Sequence, residues 1–313
     1  MRLLATVVAV AAAIALSVPG SSFSLSPTSA PDTTAPTRPG PCAGAAPKRV
    51  THVIWIWMEN HSYDQIVGSK SAPYLNRLAG QSGLATDYHG VAHPSLPNYI
   101  AATSGDTQGI HDDSAPSAHP LATPSIFSQL GTAGRAWRSY EEGMPANCAL
   151  ADSGRYAVKH NPAAYFTDIR AACASWDLPL GTPARGALAS DLGRNTLPAF
   201  SFVTPNLCND MHDCPVASGD AWVGSWMRRI LASPAYRSGR TVVLVTWDED
   251  DGSADNRVPT IVVSPSTRPG TRARGRFDHY SLLKTTEQLL GLSTDLGHAA
   301  DRSTASMRTA FHL

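Results

Sequence analysis

VTHVIWIWMENHSYDQIVGS, residues 50–69, carries a β-branched and aromatic run from Val50 to Trp57 straight into an acid, an amide and a histidine. A run of that length and composition predicts a buried strand, which puts Glu59, Asn60 and His61 at its carboxyl end. Open α/β sheets place their sites there. TVVLVTWDEDDG, residues 241–252, repeats the arrangement, a strand running into Asp248, Glu249, Asp250 and Asp251. Two such ends meeting at one point would gather oxygens from Glu59, Asn60, Asp248 and Glu249, a hard donor set suited to one divalent metal ion. Taken alone, DEDDG reads equally well as a solvated acidic turn.

Outward from these two strands the chain alternates. Residues 72–83 have helical spacing of Leu75, Leu78 and Ala79 and a glycine stop, and 125–134 read as a helix followed by a strand in RAWRSYEEG. Leu197–Val203 and Thr241–Trp247 read as strands with Trp222–Leu231 helical between them, Pro259–Val263 as a shorter strand, and 278–292 as a helix ending on Gly291. Strands alternating with helices predict an α/β fold, with a mainly parallel central sheet and helices on both faces. In HPSLPNYIAATSG, 93–105, Pro97 suits a first helical turn, so Ser95 is expected just before the helix. There it would be an N-cap, and a hydroxyl beside a metal and a helix amino terminus would also be an activated nucleophile.

The chain opens MRLLATVVAVAAAIALSVPG, an apolar stretch behind one arginine that reads as a secretory signal peptide over residues 1–30. Residues 31–47 are too rich in Pro, Thr and Ala to bury a core and read as a linker, leaving a domain over 48–313 of about 265 residues, within the range of one large α/β unit. The expectation is a secreted protein with no stable membrane insertion once the signal is removed. Five cysteines without C-x-x-C spacing predict disulfides rather than a metal site. The expected pairs are Cys208 with Cys214 and Cys148 with Cys173, leaving Cys42 in the linker, although spacing does not fix connectivity. Lysine and arginine number 25 against 25 acids, and removing Arg2 with the signal leaves 24 against 25, so no basic field invites nucleic acid.

His160 in VKHNPAAYF, His212 in TPNLCNDMHDC and His279 in FDHYSLL fall in polar, turn-like settings suited to phosphate contact or proton transfer. His61 and His93 lie close to the motifs without an assigned role. The sequence lacks G-x-S-x-G, H-E-x-x-H, G-x-x-x-x-G-K-[ST] and G-x-G-x-x-G, which weakens an ordinary serine esterase.

MENHSYDQIVG, HPSLPNY, KHNPAAYF, TPNLCNDMHD, TWDEDDG and FDHYSLL, in that order, resemble the bacterial phosphoesterase family of secreted acid phosphatases and phospholipases C, within it the acid phosphatase and phosphatidylinositol-3-phosphatase branch. The resemblance implies an alkaline-phosphatase-like fold and double-displacement hydrolysis through a phosphoserine. It makes Glu59, Asn60, Asp248, Glu249 and Ser95 metal ligands, with Ser95 also the nucleophile. By motif matching His160 and His212 contact the phosphoryl group, His279 belongs to a recurrent Asp-His pair, and Asn98 is a candidate donor to phosphate. The implied substrates are phosphate monoesters, with phosphoinositide lipid among them. The phospholipase branch carries T-x-P-N-R where this chain has Ser95-Leu96-Pro97-Asn98-Tyr99. A phospholipase C acting on diesters and a catalytically silent secreted binding protein are the competing expectations.

Overall fold

Strand β1, His52–Met58, lies at the heart of the protein, and from Val53 to Met58 it exposes nothing to solvent. A strand covered on both faces can be apolar at every position, which is why its sequence runs without alternation. The computed structural model describes residues 40–292 and 296–313. The expected signal peptide, and the expected linker as far as residue 39, lie outside the described residues.

The further strands are β2 (Gly83–Ala85), β3 (Tyr88–His89), β4 (Trp137–Glu141), β5 (Asp177–Pro179), β6 (Phe200–Thr204), β7 (Thr241–Trp247), β8 (Thr260–Val263), β9 (Thr271–Ala273) and β10 (Phe277–Asp278). An eight-stranded sheet takes the order β5-β4-β6-β1-β7-β8-β2-β9, and β10 pairs with β3 separately. From β5 to β7 all pairing is parallel, with Ile56 opposite Val203 on one side and Met58 opposite Trp247 on the other. The short strand expected at 259–263 is β8, and it runs antiparallel to both β7 and β2. The mainly parallel sheet expected from the alternation therefore holds, with one strand reversed.

Helices Pro73–Gln81, Ser95–Ser104, Ile126–Thr132, Val216–Ala232 and His279–Leu290 form where the apolar spacing predicts them, the fourth beginning earlier than expected, directly after Pro215. Their ends are fixed by side chains. Asp278 accepts the N–H of Ser281 at 2.8 Å, and the Asp220 carboxylate accepts those of Tyr74 and Leu75 at 3.0 and 2.8 Å. Trp55 of β1 donates to Thr286 Oγ1 at 3.0 Å, joining helix His279–Leu290 to the sheet. The helix Ser95–Ser104 ends on Gly105, whose φ of 83° is open to glycine at little cost. The closure there is backbone on backbone: a Cβ on Gly105 would lie 2.2 Å from the Leu296 carbonyl oxygen, and His298 N–H donates to Gly105 O at 2.7 Å.

Both expected disulfides form, Cys148–Cys173 and Cys208–Cys214. Cys42 is free, and it is buried rather than carried in an open linker. Its segment lies against residues 265–267, with Ala43 and Ala45 N–H donating to Pro265 O at 3.3 and 3.0 Å and Tyr236 hydroxyl donating to Pro41 O. The globular part thus begins before Lys48. Among the described residues no helix is long and apolar enough to cross a membrane.

Candidate active site

The carboxyl ends of β1, β6 and β7 meet because the three strands are neighbours running the same way. Asp248 N–H donates to Met58 O at 3.0 Å, and Asn60 N–H donates to Asp248 Oδ1 at 3.1 Å, so the two expected acidic ends are tied to each other. Asn60 adopts a φ of 50°, a turn that leaves Glu59 and Asn60 side by side at the strand end. The loop after β6 brings a third acid, Asp210, whose carbonyl accepts Glu59 N–H at 2.9 Å. Asp210 sits inside TPNLCNDMHD with nothing in that stretch to mark it, and only the pairing of β6 with β1 gives it a place.

Ser95 differs from its expected position. It is the first residue of the helix, Pro94 precedes it at the cap, and the serine hydroxyl caps no amide. The reason is that better acceptors are at hand: Ser95 Oγ lies 3.1 Å from Glu59 Oε2 and 3.2 Å from Glu249 Oε1, bridging the ends of β1 and β7. The other oxygen of Glu59 accepts the Tyr99 hydroxyl, and His160 Nε2 lies 3.3 Å from it. His160 is buried and stacks on Tyr99, ring centroids 5.2 Å apart, with Nδ1 3.5 Å from Asp210 Oδ2. Towards solvent, His212 lies with its ring 6.0 Å from that of His160 and its Nδ1 2.8 Å from Asp213 Oδ1. His93, left without a role by the sequence, stands at the rim with Nδ1 2.6 Å from Glu249 Oε2.

Two candidates are brought near but turned elsewhere. The Asn98 amide is fully engaged by its own loop, its oxygen accepting from Val91 and Ala92 N–H at 2.9 and 3.0 Å and its nitrogen donating to Ala92 O and Pro94 O. It has no donor left for a phosphate and instead shapes the approach to Ser95. His279 is buried between Asp248 O, 2.6 Å from Nε2, and the Tyr88 hydroxyl, 3.0 Å from Nδ1. Both ring nitrogens are occupied, and His279 ties the Asp248 backbone to Tyr88. His61 bonds the Glu59 carbonyl at 2.9 Å, a local contact.

The acids sit in an environment hostile to charge. Burial pushes Asp248 and Asp210 each up to about 7 and Glu249 up to about 9, the last with help from Asp248; burial, then Asp248 and Asp210, holds Glu59 well above the carboxylate range. His160 is held well below the imidazole range by burial and then by Lys159. Asn60 Oδ1, Asp248 Oδ2 and Asp210 Oδ2 are buried without a hydrogen-bond donor. Buried polar oxygens are ordinarily satisfied, and a carboxylate set that is not satisfied by donors fits a cation. Glu59, Asn60, Asp248, Glu249 and Ser95 could hold one. Cys148, Cys173 and Asp177 also lie close enough for a metal, but there the two sulfurs are consumed by their disulfide.

The architecture and this location of the site define an alkaline-phosphatase-type fold. A solved protein of the alkaline phosphatase superfamily from Vibrio parahaemolyticus is similar to it with a TM-score of 0.54 at 12% identity, over 84% of this chain and 72% of that one. The Phosphoesterase family model matches residues 69–293, a span that begins after Glu59 and Asn60 and includes Ser95, His160, His212, Asp248 and Glu249, and the protein belongs to that family. It is similar to the phosphatidylinositol-3-phosphatase of Mycobacterium tuberculosis, 35% identical over 252 residues covering 80% of each chain. It is also similar to an acid phosphatase of Aspergillus fumigatus, 29% identical over 76% of this chain and 54% of that one, so it spans about half the length of the fungal protein.

Proposed function

We propose that the protein is a secreted, metal-dependent phosphatase that hydrolyses phosphate monoesters, phosphatidylinositol 3-phosphate among them, through a phosphoserine on Ser95. The observation that carries this is the Ser95 hydroxyl, buried at the head of a helix and bridged between Glu59 and Glu249. Similarity to named phosphatases supports the reaction class, and the two disulfides support an oxidising compartment.

A divalent cation held by Glu59, Asn60, Asp248, Glu249 and Ser95 supplies positive charge that favours ionised oxygens there. Ser95 Oγ attacks phosphorus in line, and its proton has a carboxylate oxygen within hydrogen-bond reach on either side. His212, partly exposed and oriented by Asp213, gives a proton to the departing alcohol and takes one back from the water that cleaves the phosphoserine. His160 stays neutral, braced by Tyr99, and steadies Glu59 from behind.

The test compares phosphate release from an aryl phosphate, a short-chain phosphatidylinositol 3-phosphate and a phosphocholine diester at equal concentration between about pH 5 and pH 8, the window in which histidine titrates. Both monoesters should turn over faster than the diester, and Ser95→Ala should stay folded while losing about 10⁴-fold or more in rate. A diester cleaved fastest throughout, or a near-normal Ser95→Ala, sinks the proposal.

A further inference from the structure

Beside the site stands a cation that the scheme above does not use. Lys159, adjacent in sequence to His160, places its ammonium 2.8 Å from Asp113 Oδ2, and the other oxygen of the same carboxylate accepts Leu96 N–H at 2.9 Å. Leu96 follows Ser95 in the first turn of the ten-residue helix Ser95–Ser104. An anion held between an ammonium and a first-turn N–H is in the setting where helix amino termini bind phosphate, and here the anion is the chain's own.

Two further features orient this pair towards the site. The Lys159 side chain is 20% exposed, and although burial works against its charge, Asp113 and then Glu59 and Asp248 hold its pKa up. Next to it, His160, only 2% exposed, lies with Nε2 3.3 Å from Glu59 Oε1, which puts this stretch of chain against the site. Asp113 itself belongs to a long connection with no helix between Ser104 and Ile126.

Resting on the reading of Ser95 as nucleophile, we propose that Lys159 is the cationic contact for the phosphoryl group, and that Asp113 occupies, until substrate arrives, the place between Lys159 and Leu96 N–H that a phosphoryl oxygen then takes. A carboxylate oxygen and a phosphoryl oxygen accept the same hydrogen bonds, so one can substitute for the other. A dianionic monoester outcompetes the single charge of Asp113, whereas a monoanionic diester gains little by displacing it. Lys159 and Asp113 together thus select for a terminal phosphate.

The experiment titrates inorganic phosphate calorimetrically into the purified metal-loaded protein as wild type, Lys159→Met, Lys159→Arg and Asp113→Asn, with circular dichroism to confirm folding, and measures kcat and KM on an aryl phosphate. Lys159→Met should weaken phosphate binding and lower kcat/KM on the order of 10²-fold, as loss of one preorganised charge contact does. Lys159→Arg should recover part of both. Asp113→Asn should bind phosphate several-fold more tightly because the internal competitor is gone. Unchanged phosphate affinity in Lys159→Met overturns the proposal, as does an Asp113→Asn variant that weakens phosphate, which would make the pair a strap for the helix. Should Lys159→Met not fold, the opposite responses of Lys159→Arg and Asp113→Asn decide the matter. A wild type that releases phosphate from no monoester breaks the phosphatase reading instead, and the titration of inorganic phosphate still decides the role of Lys159.

Discussion

Two groups of acids are buried in the same sheet, and they differ in what their oxygens touch. On β4 and β5, Glu141 accepts the Ser139 hydroxyl at 2.6 Å, and Asp177 accepts Asn161 Nδ2 at both oxygens, 3.1 and 2.9 Å. Around Ser95, by contrast, Asp248 and Asp210 each keep an oxygen with no donor. Charge is suppressed in both places: burial and then Asp177 hold Glu141 well above its ordinary range, and burial lifts Asp177 to about 7. Burial and a raised pKa therefore do not by themselves distinguish a site. Around Ser95 the unsatisfied atoms include carboxylate oxygens, which suit a cation, whereas the unsatisfied oxygen beside Asp177 is the neutral amide Oδ1 of Asn161.

Removing one anionic donor gives the largest effect expected of this contrast. Asp248→Asn or Glu59→Gln should lower bound metal and activity together, by about 100-fold or more in activity, measured by elemental analysis and phosphate release on the same samples. Asp177→Asn should leave both within a few-fold. Equal losses from the two groups would erase the distinction drawn here.

A middle-sized effect concerns pH. Asp177 has its folded pKa raised from an ordinary value near 4 to about 7, so the native state holds a proton that the unfolded chain releases. The stability it contributes is full below about pH 4 and declines as pH rises towards about 7, a change of a few kcal/mol. Asp177→Asn cannot ionise, so the difference in Tm between variant and wild type should shift in the variant's favour across that interval. A constant difference would mean that Asp177 is not held protonated.

How much of this was legible beforehand follows from length and separation. β1 and β7 are seven residues each and buried throughout except at His52, so their composition announced them. β2, β5 and β9 have three residues apiece, too few for a period to show. The direction of β8 is not written in its residues at all, since antiparallel and parallel strands use the same buried types. Glu59, Asp248 and Glu249 were readable because each follows such a strand. Asp113 and Lys159 were not, being 46 residues apart, one in an irregular loop and the other in the single 3-10 turn Val158–His160. Asn98 and Ser95 were expected beside the strand ends, but sequence could not say that the amide would be spent on Val91, Ala92 and Pro94, or that the hydroxyl would turn from capping to Glu59 and Glu249.

The smallest effect sharpens the comparison from within the open group. Asp210 and His212 both lie inside the loop closed by Cys208–Cys214, with His212 N–H bonded to Asp210 Oδ1 at 2.8 Å. Replacing both cysteines by serine frees a short loop and should cost about 2 kcal/mol in stability. Activity should drop a few-fold, while the Glu141–Asp177 pair is untouched. Hydrogen exchange restricted to residues 206–214 would support this. Exchange spreading to β4 and β5 would show that the two acid groups are mechanically joined.

The closure of Gly105 against Leu296 and Gly297 bears on how the molecule comes into being. Every residue assigned to the site precedes in the chain the stretch that seats the far end of the serine's helix. A nascent chain would hold all its reactive groups while the helix beneath Ser95 still lacked its final support. Competence for the reaction thus waits on contacts made by later residues, and a side chain at Gly105, whose Cβ would lie 2.2 Å from the Leu296 carbonyl oxygen, would force that end of the helix to shift.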